Sequence, residues 1–215
     1  MSPRPRKVSD EVVFAAAHRA LSRLAPHQLR LADIAEEAGI TAGALVQRFG
    51  SKRELLVALM GGATDWPRQF LTDLRRKHAS PLAALRAWGD CYAQMGETPA
   101  ALAHNLAWLQ YDLTEPEMRR HLVRQAEVTR TAFRSLLRAA VRAGELKPGT
   151  DVARLARTVE VTFSGSLMAW AFYQEGSLKD FMRADVDAVL RPYLATPGPQ
   201  ARRKKGRPPL AQGAR

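Results

Sequence analysis

Residues 31–49 read LADIAEEAGITAGALVQRF, which is the pattern of two short helices joined by a tight corner. The residues that this pattern places on the inner faces of the two helices are Ile34, Ala35, Ala38, Leu45 and Phe49. Gly39 falls at the corner, where a positive φ is needed, and Thr41 is a good N-cap for the second helix. Ala35 is small at the point where the two helices must cross closely. These are the packing demands of a helix-turn-helix, although an ordinary helical hairpin inside a helical core also meets them.

The sequence around this stretch resembles the DNA-binding domain of the TetR/AcrR family of transcriptional regulators. That family has an N-terminal signature of the form DIA-x-x-AGVS-x-G-x-LY-x-HF-x-SK-x-x-L. The positions that follow it in register are Asp33, Ile34, Ala35, Ala38, Gly39, Ile40, Thr41, Gly43, Leu45, Phe49, Ser51, Lys52 and Leu55. The match spans roughly residues 9–60, and the rest of the chain is similar to the family in helix layout alone. The resemblance implies a dimeric repressor that binds operator DNA and senses a small molecule with its C-terminal domain.

Three positions depart from the family pattern. The usual tyrosine, a phosphate contact, is replaced by Val46, the usual histidine by Arg48, and a common Ser or Thr at the start of the motif by Arg30. Loss of the tyrosine removes one hydrogen bond to the DNA backbone, and the two arginines could replace it with charge-assisted contacts. We therefore expect DNA binding with rearranged phosphate contacts.

The outer face of the predicted recognition helix supplies the candidate base contacts. They are Thr41, Ala42, Gly43, Val46 and Gln47. Gln47 can form two hydrogen bonds with adenine, and Ala42 or Val46 can touch a thymine methyl group. The resemblance further implies that Lys52, at the start of the next helix, meets a phosphate. The alternative for Gln47 is simple solvation.

Positive charge is concentrated at the two ends of the chain, whose net charge is +12. Residues 1–7 carry Arg4, Arg6 and Lys7, residues 196–215 carry six cations, and neither segment has an acid, which leaves a net charge of three for the middle. Basic ends on a nearly balanced body favour a polyanionic partner. Two solvated ends that aid solubility are the alternative.

The C-terminal tail contains the sequence RKKGRPP at residues 203–209, which is similar to an AT-hook. In such a motif Arg207 would enter a narrow, A·T-rich minor groove. A generic basic tail is the alternative, because a three-residue core recurs by chance.

Helical periodicity predicts an all-α fold of about nine helices. The predicted helices cover residues 9–25, 31–38, 41–48, a fourth from residue 51 that Pro67 kinks or breaks, two that open at Pro81 and Pro99, and then 116–143, 151–176 and 178–194. We divide the chain into a basic arm (1–8), a three-helix DNA-binding domain (9–55), a ligand-sensing and dimerisation domain (56–195) and a basic disordered tail (196–215).

Two sets of residues in the C-terminal domain are candidates for ligand binding and dimerisation. The ligand candidates are aromatic or polar groups on apolar helix faces, namely Trp88, Tyr92, His104, Asn105, Trp108, Tyr111, Phe133, Phe163, Met168 and Phe172. Each is individually more typical of core, so about half are expected to line a cavity. The dimer candidates, taken from the last two predicted helices as in the family, are Val159, Phe163, Leu167, Ala171, Phe181, Val186 and Leu190. Packing within the chain is the alternative for this second set.

Other classes of protein lack support in the sequence. We find no HExxH, phosphate loop, nucleophile elbow or Cys/His cluster, so neither catalysis nor a metal or cofactor is expected. Cys91 is the single cysteine, no apolar run reaches the length of a membrane span, and no signal peptide is visible. We therefore expect a cytoplasmic protein. The remaining rivals are an architectural DNA-binding protein and a regulator controlled by a protein partner.

Overall fold

The computed structural model describes residues 8–62, 66–96 and 98–196, and its regular structure there is helical. The ten helices are α1 (Asp10–Leu21), α2 (Leu31–Ala38), α3 (Ala42–Phe49), α4 (Lys52–Gly62), α5 (Trp66–Lys77), α6 (Pro81–Ala93), α7 (Pro99–Thr114), α8 (Pro116–Arg142), α9 (Val152–Tyr173) and α10 (Leu178–Leu190). Two short 3-10 turns cover Gln94–Gly96 and Arg191–Tyr193. The all-α prediction is confirmed. No helix within these three stretches is long and apolar enough to cross a membrane.

Several predicted helix boundaries differ from the observed ones, and α10, for example, ends at Leu190 instead of residue 194. The predicted fourth helix corresponds to α4 and α5, and Pro67 lies in the first turn of α5, where a missing N–H costs no hydrogen bond. The first helix ends at Leu21, four residues before its predicted end. It ends there because the N–H groups of Arg23 and Leu24 both bond the carbonyl of Ala20, at 3.1 and 3.0 Å, and close a tighter turn. The candidate contacts Arg4, Arg6, Lys7 and Arg207 lie outside the described residues.

Side-chain oxygens fix the starts of six helices. The capping residues whose oxygens accept a backbone N–H are Thr41, Ser51, Ser80, Thr98, Asp151 and Ser177. Ser9, the residue before α1, makes no such bond. Its hydroxyl instead bonds the Glu11 carboxylate and lowers the pKa of that group. Gly144 follows the end of α8 with φ 70°, as expected for a glycine that ends a helix.

Two apolar cores organise the chain, and the C-terminal helices contribute to both. The N-terminal core is built from α1 to α4 around Val13, Ile34, Leu45 and Leu55. Met118 of α8 is buried in this same core, and Trp108 and Tyr111 of α7 pack against it. The larger second core is built from α5, α6, α8, α9 and α10, with Leu102 of α7. The helix-turn-helix unit is therefore packed directly against the first turns of α8 and the last turns of α7.

Candidate nucleic-acid interface and adjoining cavity

A left-handed corner sets the angle between α2 and α3. Gly39 has φ 68° and ψ 32°, and the N–H of Ile40 donates to the carbonyl of Ala35 at 3.0 Å. Thr41 then opens α3 by accepting the N–H of Ala44 on its hydroxyl oxygen at 3.1 Å. Ile34, Ala35, Ala38 and Leu45 are buried and Phe49 is partly buried. The sequence pattern thus folds as the two-helix unit it predicted.

Burial of Leu45 fixes the direction in which α3 presents its other side chains. Leu45 is fully buried, whereas Gly43, Val46 and Gln47 are exposed. Val46 keeps 48 % of its surface exposed although its side chain is apolar. Thr41 is exposed and Ala42 half-buried at the same end of the helix. The side chains on this face are small or uncharged and lie at the surface, so that the face can enter a groove of DNA.

An ion-pair cluster braces α1 against the end of α2. Arg19 donates to a Glu37 carboxylate oxygen at 2.9 Å and to the Glu37 carbonyl at 3.0 Å, and Arg23 pairs with the same carboxylate. The hydrogen bonds from Arg19 and Arg23 hold the pKa of Glu37 below its usual range. Since the group is at the surface, the cluster orients α2 more than it stabilises the fold.

Two of the three predicted phosphate contacts are hydrogen-bonded to distant segments of the chain. Lys52 donates through Nζ to the carbonyls of Pro26 at 3.0 Å and Leu29 at 2.9 Å. Arg48 donates to the carbonyl of Val8, pairs with Asp10 and lies over the Phe49 ring, 5.5 Å from its centroid. Arg48 therefore connects α3 to the segment before α1, and Lys52 connects α4 to the loop after α1. No pattern in the sequence indicates these contacts.

Arg30 is the third of these cations and the one most open to solvent. Its side chain is 81 % exposed, and its guanidinium lies 3.9 Å from the Asp33 carboxylate. Phosphate contacts by Arg30, Arg48 and Lys52 stay predictions.

Hydrogen bonds join α7 to the end of α1. His104 donates through Nε2 to the carbonyl of Leu21 at 2.7 Å, and Trp108 donates through Nε1 to the carbonyl of Leu24 at 3.0 Å. Because a carbonyl can only accept, Nε2 of His104 carries the proton.

A set of ion pairs makes a second link, between α4 and the start of α8. Arg53 of α4 pairs with Glu115 at 2.7 Å and with Glu117 at 2.9 Å. The hydrogen bond that Arg53 donates to the Glu115 carboxylate is the main reason why the pKa of Arg53 is raised. Movement of α7 or of the start of α8 would therefore displace the helices to which these bonds connect it, the end of α1 and α4.

A cavity of about 380 Å³ lies at this junction, between α1, α4, α7 and α8. We call it the junction cavity. Its apolar lining is Leu21, Leu56, Leu59, Met60, Trp108 and Met118. Its polar lining is His18, Ser22, Asn105, Asp112, His121 and Gln125. The volume falls in the range of about 300–1,000 Å³ that is usual for small-molecule sites. Asn105 and Trp108 are the two ligand candidates that line it.

Four other ligand candidates form a packed aromatic core. Trp88 meets Phe133 edge-on with ring centroids 5.6 Å apart, and Phe163 lies 5.8 Å from Phe133 and 6.4 Å from Tyr92. A Cβ added at Gly89 would lie 2.5 Å from a ring carbon of Phe163. Tight ring packing makes these residues part of the second core and not of the junction cavity, and a role for them in ligand binding stays a prediction.

Met168 and Phe172, two further ligand candidates, lie on the outer face of α9, whereas the dimer candidates lie on the inner faces of α9 and α10. Met168 and Phe172 are exposed, Phe172 by 74 %, and share an outer face with Val161, Ser164 and Gly165. By contrast, the stripes predicted for dimerisation pack within the chain. Val159, Phe163, Leu167, Val186 and Leu190 are buried, and Ala171 and Phe181 are partly buried. The apolar stripe in the sequence marks the face of α9 that packs in the core. The outer face has no continuous apolar stripe, because Ser164 and Gly165 lie between its apolar residues.

No cluster of three or more His, Cys, Asp or Glu side chains suited to a metal ion occurs within residues 8–62, 66–96 and 98–196.

Comparison with known proteins gives two matches to domain families and many structural neighbours. Residues 13–59 match the family described as "Bacterial regulatory proteins, tetR family", and residues 83–185 match "Tetracyclin repressor-like, C-terminal domain". The chain is 22 % identical over 195 residues to the HTH-type transcriptional regulator HbdR of Aromatoleum sp. (strain CIB), a match that covers 89 % of this chain and 83 % of that protein.

The solved structures of similar fold include three that are described as transcriptional regulators or repressors. SmeT, the repressor of the Stenotrophomonas maltophilia multidrug efflux pump SmeDEF, superposes with a TM-score of 0.63 at 23 % identity, covering 87 % of this chain and 91 % of that one. FadR from Bacillus subtilis, in complex with stearoyl-CoA, has a TM-score of 0.61 at 18 % identity, covering 84 % and 97 %. A TetR transcription regulator from Haloarcula marismortui has a TM-score of 0.68 at 16 % identity, covering 86 % and 97 %.

Proposed function

The chain belongs to the TetR family and is a DNA-binding transcriptional regulator, not an enzyme, and from this premise we propose that it is a repressor that leaves its operator when a small molecule fills the junction cavity. The operator is proposed to be palindromic and the protein to act as a homodimer in the cytoplasm. The single observation that carries the release mechanism is that the cavity has walls from both parts of the molecule, α1 and α4 on one side and α7 and α8 on the other.

The DNA side of the proposal rests on the exposed face of α3. If α3 enters the major groove with that face, the amide of Gln47 can reach an adenine and the methyl groups of Val46 can reach a thymine methyl. Gly43 would allow close approach of the helix backbone. Arg30 is placed at the start of α2 with an exposed guanidinium, where it suits a phosphate.

A homodimer would place two copies of α3 in successive major grooves. The outer face of α9 is the surface we assign to the partner, because Val161, Met168 and Phe172 are exposed there beside Ser164 and Gly165. Small residues allow two helices to approach closely, and the apolar ones gain by leaving water. Half-sites on the same DNA face are then separated by about one or more helical turns, near 34–36 Å for one turn.

Release follows from differential affinity. A ligand that binds the cavity more tightly when α1 and α4 are displaced favours that conformation. It can lower operator affinity by at most the ratio of its affinities for the two conformations. The hydrogen bonds from His104 and Trp108 to the end of α1 and the Arg53 ion pairs supply the mechanical link. Coupling of this kind is typically worth about 1–3 kcal/mol, or roughly 5–150-fold in affinity.

The test is the effect of small molecules on operator affinity, measured by fluorescence anisotropy on a DNA site selected from a random pool. A set of small aromatic and aliphatic compounds, balanced between cations, anions and neutral molecules, is the probe. Met60→Trp fills the cavity, and Ala58→Trp adds the same ring on the exposed side of α4. We expect compounds that release the wild type and the Ala58 variant to have no effect on the Met60 variant. Equal responses of all three proteins, or no response to any compound, would contradict release through this cavity and favour an architectural or partner-controlled role.

A further inference from the structure

The junction cavity has one acidic group in a largely apolar setting. Asp112 lies on α7, one turn beyond Trp108, and both line the cavity. Around them stand Leu56, Leu59 and Met60 of α4. A carboxylate in such surroundings loses hydration without gaining an apolar contact.

No cation of the described residues compensates Asp112. Its carboxylate has neither an ion pair nor a hydrogen-bond partner among them. Burial alone raises the pKa of Asp112 to about 6. The carboxyl is thus mostly ionised at neutral pH, yet it remains without a counter-ion.

The other titratable groups that face Asp112 across the cavity are two imidazoles. His18 comes from α1 and His121 from α8, while α4 contributes only apolar side chains to the lining. No charged neighbour contributes to the pKa shift of Asp112. Neither histidine therefore serves as its partner.

We infer that the junction cavity takes an organic cation, a ligand whose ammonium group pairs with the Asp112 carboxylate while its apolar body packs against Trp108 and the α4 side chains. This inference rests on the proposed function, of which it names the ligand class. An ammonium group would form a charge-assisted hydrogen bond with the carboxylate, and the indole of Trp108 would add a cation–π contact. An anionic ligand would bring a second negative charge beside Asp112, and a neutral one would leave the carboxylate unpaired.

A matched series of three probes tests the assignment. 4-Phenylbutylamine, 4-phenylbutanol and 4-phenylbutyrate share one hydrocarbon body and differ in a terminal ammonium, hydroxyl or carboxylate. Their binding to the full chain is measured by calorimetry at about pH 7.5, and their effect on operator affinity by anisotropy. Asp112→Asn removes the charge at nearly constant shape. Asp73→Asn is the control, because it removes one negative charge from an exposed position on α5 outside the cavity.

We expect the amine to bind most tightly and the carboxylate most weakly. Asp112→Asn should weaken the amine about tenfold or more, equivalent to about 1.4 kcal/mol, and change the alcohol much less, whereas Asp73→Asn should change neither. Amine affinity should also rise between about pH 5 and pH 7.5, as Asp112 loses its proton. The part of this rise that Asp112→Asn abolishes is the part assigned to the carboxylate.

The outcomes separate the ligand class from the release mechanism. If the alcohol or the carboxylate binds as tightly as the amine and releases the operator, the cation assignment falls and the proposed function stands. If the amine binds through Asp112 without lowering operator affinity, the cation site stands and the release mechanism falls. If no probe binds at millimolar concentration, or if Asp112→Asn leaves amine affinity unchanged, the assignment is overturned.

Discussion

A single methyl group on α3 should stabilise the protein and weaken its binding to DNA. Gly43 lies in the first turn of α3 with an exposed position, and a Cβ there would meet only the Thr41 hydroxyl oxygen, at 3.9 Å. Alanine therefore fits without strain. It restricts the unfolded chain and favours the helix, so Gly43→Ala should raise the free energy of unfolding by about 0.4–1 kcal/mol.

The same methyl group would stand on the face assigned to the major groove. If the backbone of α3 approaches the DNA at Gly43, the added carbon pushes the helix outward and lengthens the contacts of Val46 and Gln47. One good bidentate base contact is worth about 1–3 kcal/mol, and each 1.4 kcal/mol is a factor of about ten. We expect operator affinity to fall by about ten- to a hundredfold.

Gly39→Ala is the matched control for this experiment. A Cβ at Gly39 would meet nothing within 4 Å, but its φ is +68°, and the left-handed conformation costs an L-residue about 1–2 kcal/mol. This variant should lose stability while its folded fraction binds the operator much as the wild type does. Urea unfolding gives the stabilities and anisotropy titration of a selected operator gives the affinities. A more stable Gly43→Ala protein with wild-type affinity would refute the orientation we assign to α3.

Four other changes have expected outcomes. Asp112→Asn should stabilise the ligand-free protein at about pH 7.5 by roughly 1 kcal/mol: the rise in pKa from 3.8 to about 6 corresponds to about 3 kcal/mol, which solvent screening of a half-exposed group reduces. Because the folded-state pKa is the higher one, this gain should shrink as the pH falls below about 6 and vanish only below about pH 3, where both states are protonated; a gain independent of pH in urea titrations would contradict it. Gln47→Ala should relax base preference at one operator position and cost about 1–3 kcal/mol; an unchanged preference in site selection would show that Gln47 is only solvated. Lys52→Ala should lower the free energy of unfolding by about 1–3 kcal/mol, because two loop carbonyls lose their donor, and weaken binding to all DNA sequences alike; a change in sequence preference would count against a phosphate role. Removal of residues 197–215 should lower affinity and flatten its salt dependence, more strongly on A·T-rich flanks if the tail acts as an AT-hook, and equal loss on G·C-rich flanks would leave it a generic cationic tail.

The helix-turn-helix could be predicted from the sequence because its constraints are local. Gly39 is needed for a backbone conformation, Thr41 for a cap, and the buried face repeats every three or four residues. All of these act within a few positions of one another. The proline and glycine punctuation that ends α8 and opens α6 and α7 is local in the same sense.

What sequence reasoning missed depends on contacts between distant segments. Lys52 and Arg48 carry the charge expected of phosphate contacts, yet their partners lie 23 to 40 residues away. A stripe of aromatic residues has the same pattern whether it lines a cavity or fills a core, so Trp88 and Phe163 could not be assigned. The importance of Asp112 could not be predicted either, since a lone acid on a helix gives no sign that α1, α4 and α8 will enclose it.

The most direct test of the central claim is selection of the preferred DNA site from a random pool by the full chain. If the chain is an operator-binding dimer that reads bases with the outer face of α3, the selected sites will share one sequence with two-fold symmetry, whose half-sites are about one or more helical turns apart. Selection of no common sequence, or of a site without two-fold symmetry, would contradict the account.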